Sequence, residues 1–205
     1  IQSFPIVADG VLYYTSSLGQ IYALDAATGA HKWKFTPKID EERGMGTFYN
    51  PYNRGVAIGH GHVYMGTIDG RLLAVDMNTG KLDWDTMLMT VEKGNKGFTG
   101  APLVVKNMVV IGSNGGELSG CCGPIFGVDA KTGKMAWQFD TIGGDEASRA
   151  SWGNDSWKVG GGGGWMTGNY DAETDTVFWG TANPAPDYDW AGENWKTEGA
   201  RPGLN

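Results

Sequence analysis

One short pattern recurs along the chain and constrains its fold more than any other feature. It reads Ala-x-Asp-x-x-Thr-Gly-x-x-x-Trp, with Gly replacing Ala in the third copy, at residues 23–33, 74–84 and 127–137, and a degenerate copy covers 169–179. The copies lie roughly fifty residues apart, and self-similarity at such a period is typical of propellers and solenoids. The chain is therefore expected to consist of repeated small units that share a core.

The chemistry of each copy indicates a β unit. The Asp carboxylate can accept backbone N–H bonds within a tight turn, and the Gly can take the left-handed position. A β-branched or aromatic run precedes each regular copy, at residues 10–14, 62–65 and 108–111. The Trp that ends a copy can pack as a wedge against the next unit. We predict an all-β propeller, with about four blades of four short antiparallel strands visible in this chain.

Composition and charge argue against several other classes of protein. The 34 Gly residues suit tight turns, while the 9 Trp residues argue against a disordered Gly-rich chain. A formal net charge of −7 argues against nucleic acid or an anionic membrane as the main partner. No apolar run approaches the ~20 residues that a membrane helix needs. Residues 1–205 are expected to be part of one propeller domain that continues beyond both ends.

The repeated pattern resembles the tryptophan-docking motif of the methanol and ethanol dehydrogenases that use pyrroloquinoline quinone (PQQ). Those enzymes are eight-bladed β-propellers, so the resemblance implies that about half a ring is visible. Non-catalytic propellers of the bacterial envelope carry similar repeats. Polar residues outside the repeat therefore have to separate the two classes.

Two segments outside the repeat resemble PQQ-carboxylate contacts of the family. Residues 53–57 read Asn-Arg-Gly-Val-Ala, and the resemblance implies that Arg54 pairs with the anionic quinone. A guanidinium fork suits the carboxylates of PQQ. Thr99, within residues 97–102, falls where the family places a Thr on a PQQ carboxylate. Taken alone, Arg54 would be interpreted as a surface residue of a loop and Thr99 as a turn residue.

Two further segments resemble the surroundings of the quinone ring. Asn114, Gly115 and Gly116 fall in a stretch similar to the family's Gly-Ser-Ser-Gly-Ala-Glu, with Asn114 standing where Ser is common. Trp165 follows a Gly-rich run and resembles the Trp beneath the PQQ ring, since an indole face can stack on a flat quinone. Gly163 stands where some members have a further Thr contact.

The resemblance also implies a metal site. Glu117 matches the family's metal-ligating Glu, and a carboxylate suits a hard cation that prefers oxygen ligands. Asn183, in Gly-Thr-Ala-Asn-Pro-Ala-Pro, matches the Asn whose side-chain oxygen is the second protein ligand. A solvated loop Glu and an Asn-Pro turn are the alternative interpretations. The metal is expected to be calcium or a lanthanide ion, and the sequence does not decide between them.

The cysteines depart from the family pattern. Many members have a vicinal disulfide against the PQQ ring, but Phe48 and Tyr49 stand at that position here. The two cysteines of this chain are Cys121 and Cys122, which are either two thiols or a strained vicinal disulfide. We hypothesise that their loop lies near the cofactor, because it closely follows Glu117.

The implied function is oxidation of a primary alcohol to the aldehyde by PQQ and a metal ion. A cytochrome c would take the electrons, and the protein would be periplasmic. In the family an Asp near the metal acts as the general base, and that residue is expected beyond Asn205. The metal acts as a Lewis acid on the quinone carbonyl.

Three other interpretations remain. A non-catalytic envelope scaffold would carry the docking repeats but gives no reason for Glu117, Trp165 and Asn183 to occur together. A sugar-oxidising quinoprotein shares the cofactor but fits the Asn-Pro-Ala-Pro segment less well. A transition-metal site suggested by His31, His60 and His62 is weaker, since only His60 and His62 are paired on one side of an extended segment and no third ligand is evident.

Overall fold

Four antiparallel sheets form the part of the chain described by the computed structural model, which comprises residues 2–40, 52–90, 97–114, 123–150, 152, 157, 158 and 161–183. In each sheet, strands that follow one another in sequence are hydrogen-bonded neighbours. This arrangement confirms the all-β prediction and gives the sheets the up-and-down order of propeller blades.

Three sheets are four-stranded and are called blades 1, 2 and 3. Blade 1 contains β1 (Ile6–Ala8), β2 (Val11–Thr15), β3 (Ile21–Asp25) and β4 (His31–Phe35). Blade 2 contains β5 (Ala57–Gly59), β6 (His62–Gly66), β7 (Arg71–Asp76) and β8 (Leu82–Met87). Blade 3 contains β9 (Leu103–Val105), β10 (Met108–Gly112), β11 (Ile125–Asp129) and β12 (Met135–Phe139). The fourth sheet is a hairpin of β13 (Asn169–Asp171) and β14 (Thr176–Phe178).

The repeated turn joins the third and fourth strands of each blade. In blade 1 the Asp25 carboxylate accepts the Thr28 N–H at 2.9 Å and the Thr28 hydroxyl at 2.7 Å. Asp76 and Asp129 make the same pair of bonds in blades 2 and 3. Gly29 lies at φ +73°, a left-handed conformation that favours Gly. The Asp and Gly positions of the pattern are therefore explained by one turn geometry.

Two of the three repeated Trp residues, Trp33 and Trp84, dock onto the next blade as the pattern predicts, whereas Trp137 is 42% exposed. Trp33 Nε1 donates to the carbonyl of Met77 at 3.1 Å, and the Tyr13 hydroxyl donates to the same carbonyl at 3.1 Å. One blade further on, Trp84 Nε1 donates to the Ala130 carbonyl at 3.3 Å. In both cases the acceptor directly follows the turn Asp of the neighbouring blade, so each repeat supplies both halves of the contact.

The degenerate copy at residues 169–179 forms a different turn, so its interpretation as a fourth copy of the docking turn is wrong. Its segment is the β13–β14 hairpin, in which Asp171 accepts the Thr174 hydroxyl at 2.7 Å. Asp175 has φ +53°, like the residues at the tip of the first hairpin in each complete blade, which are Asp9, His60 and Lys106. Trp179 Nε1 donates to Gly164 of its own segment at 2.9 Å. Asp-capped turn chemistry suits both positions, so the described residues contain three four-stranded blades and one hairpin.

Apolar side chains fill the seams between blades. The seam between blades 1 and 2 buries Tyr13, Ile21, Trp33, Met65 and Leu73, among others. The seam between blades 2 and 3 buries Tyr64, Leu72, Phe98, Ile111 and Phe126, among others. Neighbouring blades are therefore held together by close-packed apolar surface and not by shared strands.

Helices play a minor part in the described ranges. A 3₁₀ turn covers Ser17–Gly19, and a single-turn helix, α1, covers Glu146–Ala150. None of the helices in these ranges is long and apolar enough to cross a membrane.

Candidate cofactor site

Three of the predicted cofactor residues occupy equivalent places in successive sheets. Arg54, Thr99 and Trp165 each lie shortly before the first strand of a sheet, namely β5, β9 and β13. Strands β5 and β9 contact each other, whereas the fourth strand β12 is exposed along its whole length. The first strands therefore face the propeller axis, and the three residues lie together at one end of it.

The side chains of these residues meet. Arg54 Nη1 donates to the Thr99 hydroxyl at 2.6 Å, and the Arg54 backbone N–H donates to the Thr99 carbonyl at 2.9 Å. The Arg54 guanidinium carbon lies 4.7 Å from the centroid of the Trp165 ring, within cation–π range. Thr99 is 2% exposed. A cation, a buried hydroxyl and an indole face are thus assembled from segments that are distant in sequence.

Two glycines let the Trp165 segment pack directly against blade 3. A Cβ placed on Gly100 would collide with the Trp165 carbonyl oxygen, and one on Gly112 would collide with the Gly164 carbonyl oxygen. Since neither obstacle is the end of a flexible side chain, any larger residue would push the Trp165 backbone away. Arg54, Thr99 and Trp165, with Gly100 and Gly112 beside them, are called the cradle below.

Asn53, which sequence reasoning did not single out, fixes the Arg54 segment. Its amide oxygen accepts the Thr15 hydroxyl at 2.7 Å and the Gly55 N–H at 3.0 Å, and its amide nitrogen donates to the Gly66 carbonyl at 3.0 Å. Asn53 is 4% exposed. The residue before Arg54 is therefore anchored to both blade 1 and blade 2.

Asn114, a predicted cofactor-binding residue, lies just beyond the end of β10 and contacts the Thr99 segment. Its amide oxygen accepts the Gly97 N–H at 2.7 Å, and its own backbone N–H donates to the Gly97 carbonyl at 3.0 Å. The residue is 4% exposed. The structure thus places Asn114 beside the cradle, with its amide oxygen engaged by the protein backbone.

A buried ion pair stands behind the Thr99 segment. Arg71 Nη2 lies 2.9 Å from a carboxylate oxygen of Asp69. Burial alone would raise the pKa of Asp69, but hydrogen bonds from Arg71 and Thr67 outweigh it and hold the pKa below its usual range. The carbonyl of Thr67 accepts the Phe98 N–H at 2.9 Å. The Asp69 carboxylate is therefore held in its charged form. Thr67, in the same loop, fixes Phe98, the residue before Thr99, through this backbone hydrogen bond.

Of the two predicted metal ligands, only Asn183 lies within the described residues. Asn183 lies beside the Gly-rich run, since its carbonyl accepts the Gly162 N–H at 2.9 Å and the Ala182 N–H donates to the Gly163 carbonyl at 2.9 Å. The ligation by Asn183 stays a prediction. Other residues singled out from the sequence lie outside the described ranges, and they are Phe48, Tyr49, Gly115, Gly116, Glu117, Cys121 and Cys122.

Two buried hydroxyls occupy matching places near these segments. Ser113 Oγ and Thr181 Oγ1 have no hydrogen-bond partner among the described residues. Ser113 follows Gly112 at the end of β10, and Thr181 lies just after β14. A buried hydroxyl without a partner costs free energy. Thr181 lines a groove against blade 3 together with Trp137 and Phe139, whereas Ser113 directly precedes Asn114 and lies next to the cradle.

His60 and His62 lie at the other end of the strands, in the β5–β6 hairpin, while His31 begins β4 of blade 1. His62 Nε2 lies 2.9 Å from a carboxylate oxygen of Asp83, and its Nδ1 lies 2.9 Å from the His60 carbonyl. His60 Nε2 lies 2.6 Å from the Lys106 carbonyl. Within the described ranges, no three His, Cys, Asp or Glu side chains are grouped to hold a metal ion.

The cradle and the blades agree with a known family. The family described as "PQQ: Glucose/ethanol/alcohol dehydrogenase, beta-propeller domain" matches residues 1–198. The chain therefore belongs to this family, and the propeller prediction is confirmed.

Individual relatives support the same assignment. The chain is 38% identical to the quinohemoprotein alcohol dehydrogenase ADH IIB of Pseudomonas putida, a match that covers 99% of this chain and 30% of the relative. It is 32% identical to a lanthanide-dependent methanol dehydrogenase of Methylacidiphilum fumariolicum, over 98% of this chain and 35% of that protein. The crystal structure of the quinohemoprotein alcohol dehydrogenase from Comamonas testosteroni matches with a TM-score of 0.81 and 36% identity, over 91% of this chain and 30% of that one. The chain thus spans about a third of the length of these relatives.

Proposed function

We propose that this chain is part of a quinoprotein that oxidises a primary alcohol to the aldehyde with PQQ and a metal ion. The meeting of Arg54, Thr99 and Trp165 at one end of the axis carries the proposal. A propeller that used its docking repeats only as a scaffold would not require a buried hydroxyl, a cation and an indole face to converge. The envelope scaffold therefore remains the second candidate without a specific observation in its favour.

The donor set fits PQQ. The cofactor is flat and carries three carboxylates, and the cradle offers it a guanidinium fork, a hydroxyl and an aromatic face. The partnerless hydroxyl of Ser113 adds a donor at the same end of the axis. In the proposal, Arg54 and Thr99 bind carboxylates, Trp165 stacks beneath the ring, and the loop of Asn114, Gly115 and Gly116 borders it.

The metal would be held by Glu117 and Asn183 and would be calcium or a lanthanide ion. Oxygen ligands of these types suit both hard cations. When bound, PQQ supplies the two-electron acceptor and the metal supplies Lewis acidity. The residues of this chain bind and orient the two groups, and the general base is not assigned to any of them.

The partners follow from the same proposal. The substrate would be a small primary alcohol, the electron acceptor a cytochrome c, and the compartment the periplasm. The names of the relatives, among them quinohemoprotein alcohol dehydrogenases, support an alcohol substrate and a haem-linked acceptor.

The test is dye-linked alcohol oxidation by the full-length protein, reconstituted with PQQ and either calcium or a light lanthanide ion. We expect activity only when both PQQ and a metal are added, and its loss in Glu117→Ala and in Asn183→Ala. The exposed residues Glu173 and Asn169 supply matched controls, since Glu173→Ala and Asn169→Ala should retain activity. Failure to bind PQQ or to oxidise any alcohol with either metal would overturn the proposal and favour the scaffold.

A further inference from the structure

The residues before Thr99 are held one by one. Gly97 exchanges two hydrogen bonds with Asn114, one to its amide oxygen at 2.7 Å and one from its backbone N–H at 3.0 Å. Phe98 donates its N–H to the Thr67 carbonyl at 2.9 Å, and its ring is fully buried against Phe126. The Thr99 hydroxyl therefore projects from a backbone that has little freedom to move.

Among the described residues, Asn114 is the only one whose side chain bonds the Gly97 backbone in these contacts. The length of this side chain matters. Its amide oxygen reaches the Gly97 N–H across the loop, whereas a Ser hydroxyl, one carbon shorter, would fall short. Gly97 is also fixed in place by close packing, because a Cβ there would collide with the Ile68 carbonyl oxygen. The geometry of the Thr99 segment thus depends on an amide at position 114.

We infer that Asn114 is a positioning residue, which acts on the cofactor through the Gly97–Thr99 segment. This inference rests on the proposed function. It adds a backbone-fixing role to the cofactor contact that the family resemblance implies for this position, where Ser is common. The amide oxygen of Asn114 is engaged by the Gly97 N–H and, as an acceptor, cannot bind the carboxylates of PQQ, so this hydrogen bond acts on the protein backbone.

A double-mutant cycle on the full-length protein separates the two roles. PQQ dissociation constants would be measured for the wild type, Asn114→Ser, Thr99→Val and the double variant, with the metal at saturation. We expect Asn114→Ser to weaken PQQ binding about 5- to 30-fold, and by less than about 2-fold when Thr99 is already Val. Full additivity, or binding unaffected by Asn114→Ser, would overturn the inference, because a direct ligand or a bystander would act independently of Thr99.

A matched control and a second measurement protect the test against misfolding. Asn107→Ser changes an exposed Asn at the other end of the strands and should leave PQQ binding unchanged. Hydrogen exchange of the wild type, followed by mass spectrometry, needs no variant. The Gly97 amide should be protected with and without PQQ, and rapid exchange in the PQQ-free protein would contradict the clamp. Failure of the wild type to bind PQQ would instead reject the proposed function.

Discussion

The seams between blades and the cradle belong to the same sheets but are built in different ways. A seam repeats one contact, in which Trp33 or Trp84 donates to a carbonyl beside the next turn Asp, and apolar surface supplies the rest. The cradle repeats a position but not a chemistry, since a cation, a hydroxyl and an indole stand before the first strands of three successive sheets. The comparison teaches that the seams can carry stability while the cradle, at one end of the axis, is left to vary with function.

The largest expected effect is a loss of unfolding free energy from a change in the seam between blades 1 and 2. Trp33→Ala removes a 9% exposed indole and its bond to Met77, which should cost about 3–5 kcal/mol of unfolding free energy. Trp33→Phe keeps most of the ring and loses the N–H, so it should cost much less, on the order of 1–2 kcal/mol. Denaturant unfolding of the full-length protein measures both, and equal costs would show that the seam does not depend on the packed indole.

A change at a glycine of the cradle should weaken PQQ binding more clearly than it weakens the seams between blades. Gly100→Ala places a Cβ against the Trp165 carbonyl oxygen, so the indole must shift. We expect about 1–3 kcal/mol of destabilisation together with about tenfold weaker PQQ binding, since the stacking face moves. Gly144→Ala is the control, because nothing lies within 4 Å of a Cβ there and its backbone is not left-handed. Titration with PQQ and thermal unfolding would test both, and unchanged PQQ affinity in Gly100→Ala would break the link between Gly100 and Trp165.

The smallest expected effect is the acid sensitivity of the docking turns. Hydrogen bonds from the Thr hydroxyl and backbone lower the pKa of Asp25, Asp76 and Asp129. Their folded-state pKa values lie below the unfolded value of about 3.9, so the stabilisation is present above that pH and is lost as pH falls through the folded values. In a variant with all three changed to Asn, thermal stability should fall less steeply as the pH is lowered below about 4. An unchanged pH profile would mean that these turns do not contribute.

The seams were predictable from the sequence because their chemistry recurs. Asp25 and Trp33 have counterparts in two further copies, so a turn and a wedge could be inferred without knowing the fold. The same reasoning failed at Asp171, where an Asp-capped hairpin uses the residues of a docking turn at another place in the blade.

The cradle was predictable only through resemblance to a family. Arg54, Thr99 and Trp165 came from matched segments, and the structure brings them together. The supporting role of Asn53 depends on its contact with Thr15, which is far away in sequence and leaves no local pattern. The bond between Asn114 and Gly97 is hidden for the same reason.

The most direct test of the central claim, that the cradle binds PQQ, is the PQQ affinity of full-length Arg54→Lys. A Lys keeps the charge but loses the fork and the planar stacking, so binding should weaken about 10- to 100-fold. Arg149→Lys is the matched control, because the Arg149 guanidinium carbon also lies over a Trp ring, 4.4 Å from the centroid of Trp157. Loss in Arg54→Lys alone is the result that we predict. Equal PQQ affinity in the wild type and both variants would contradict the assignment of the cradle as the cofactor site.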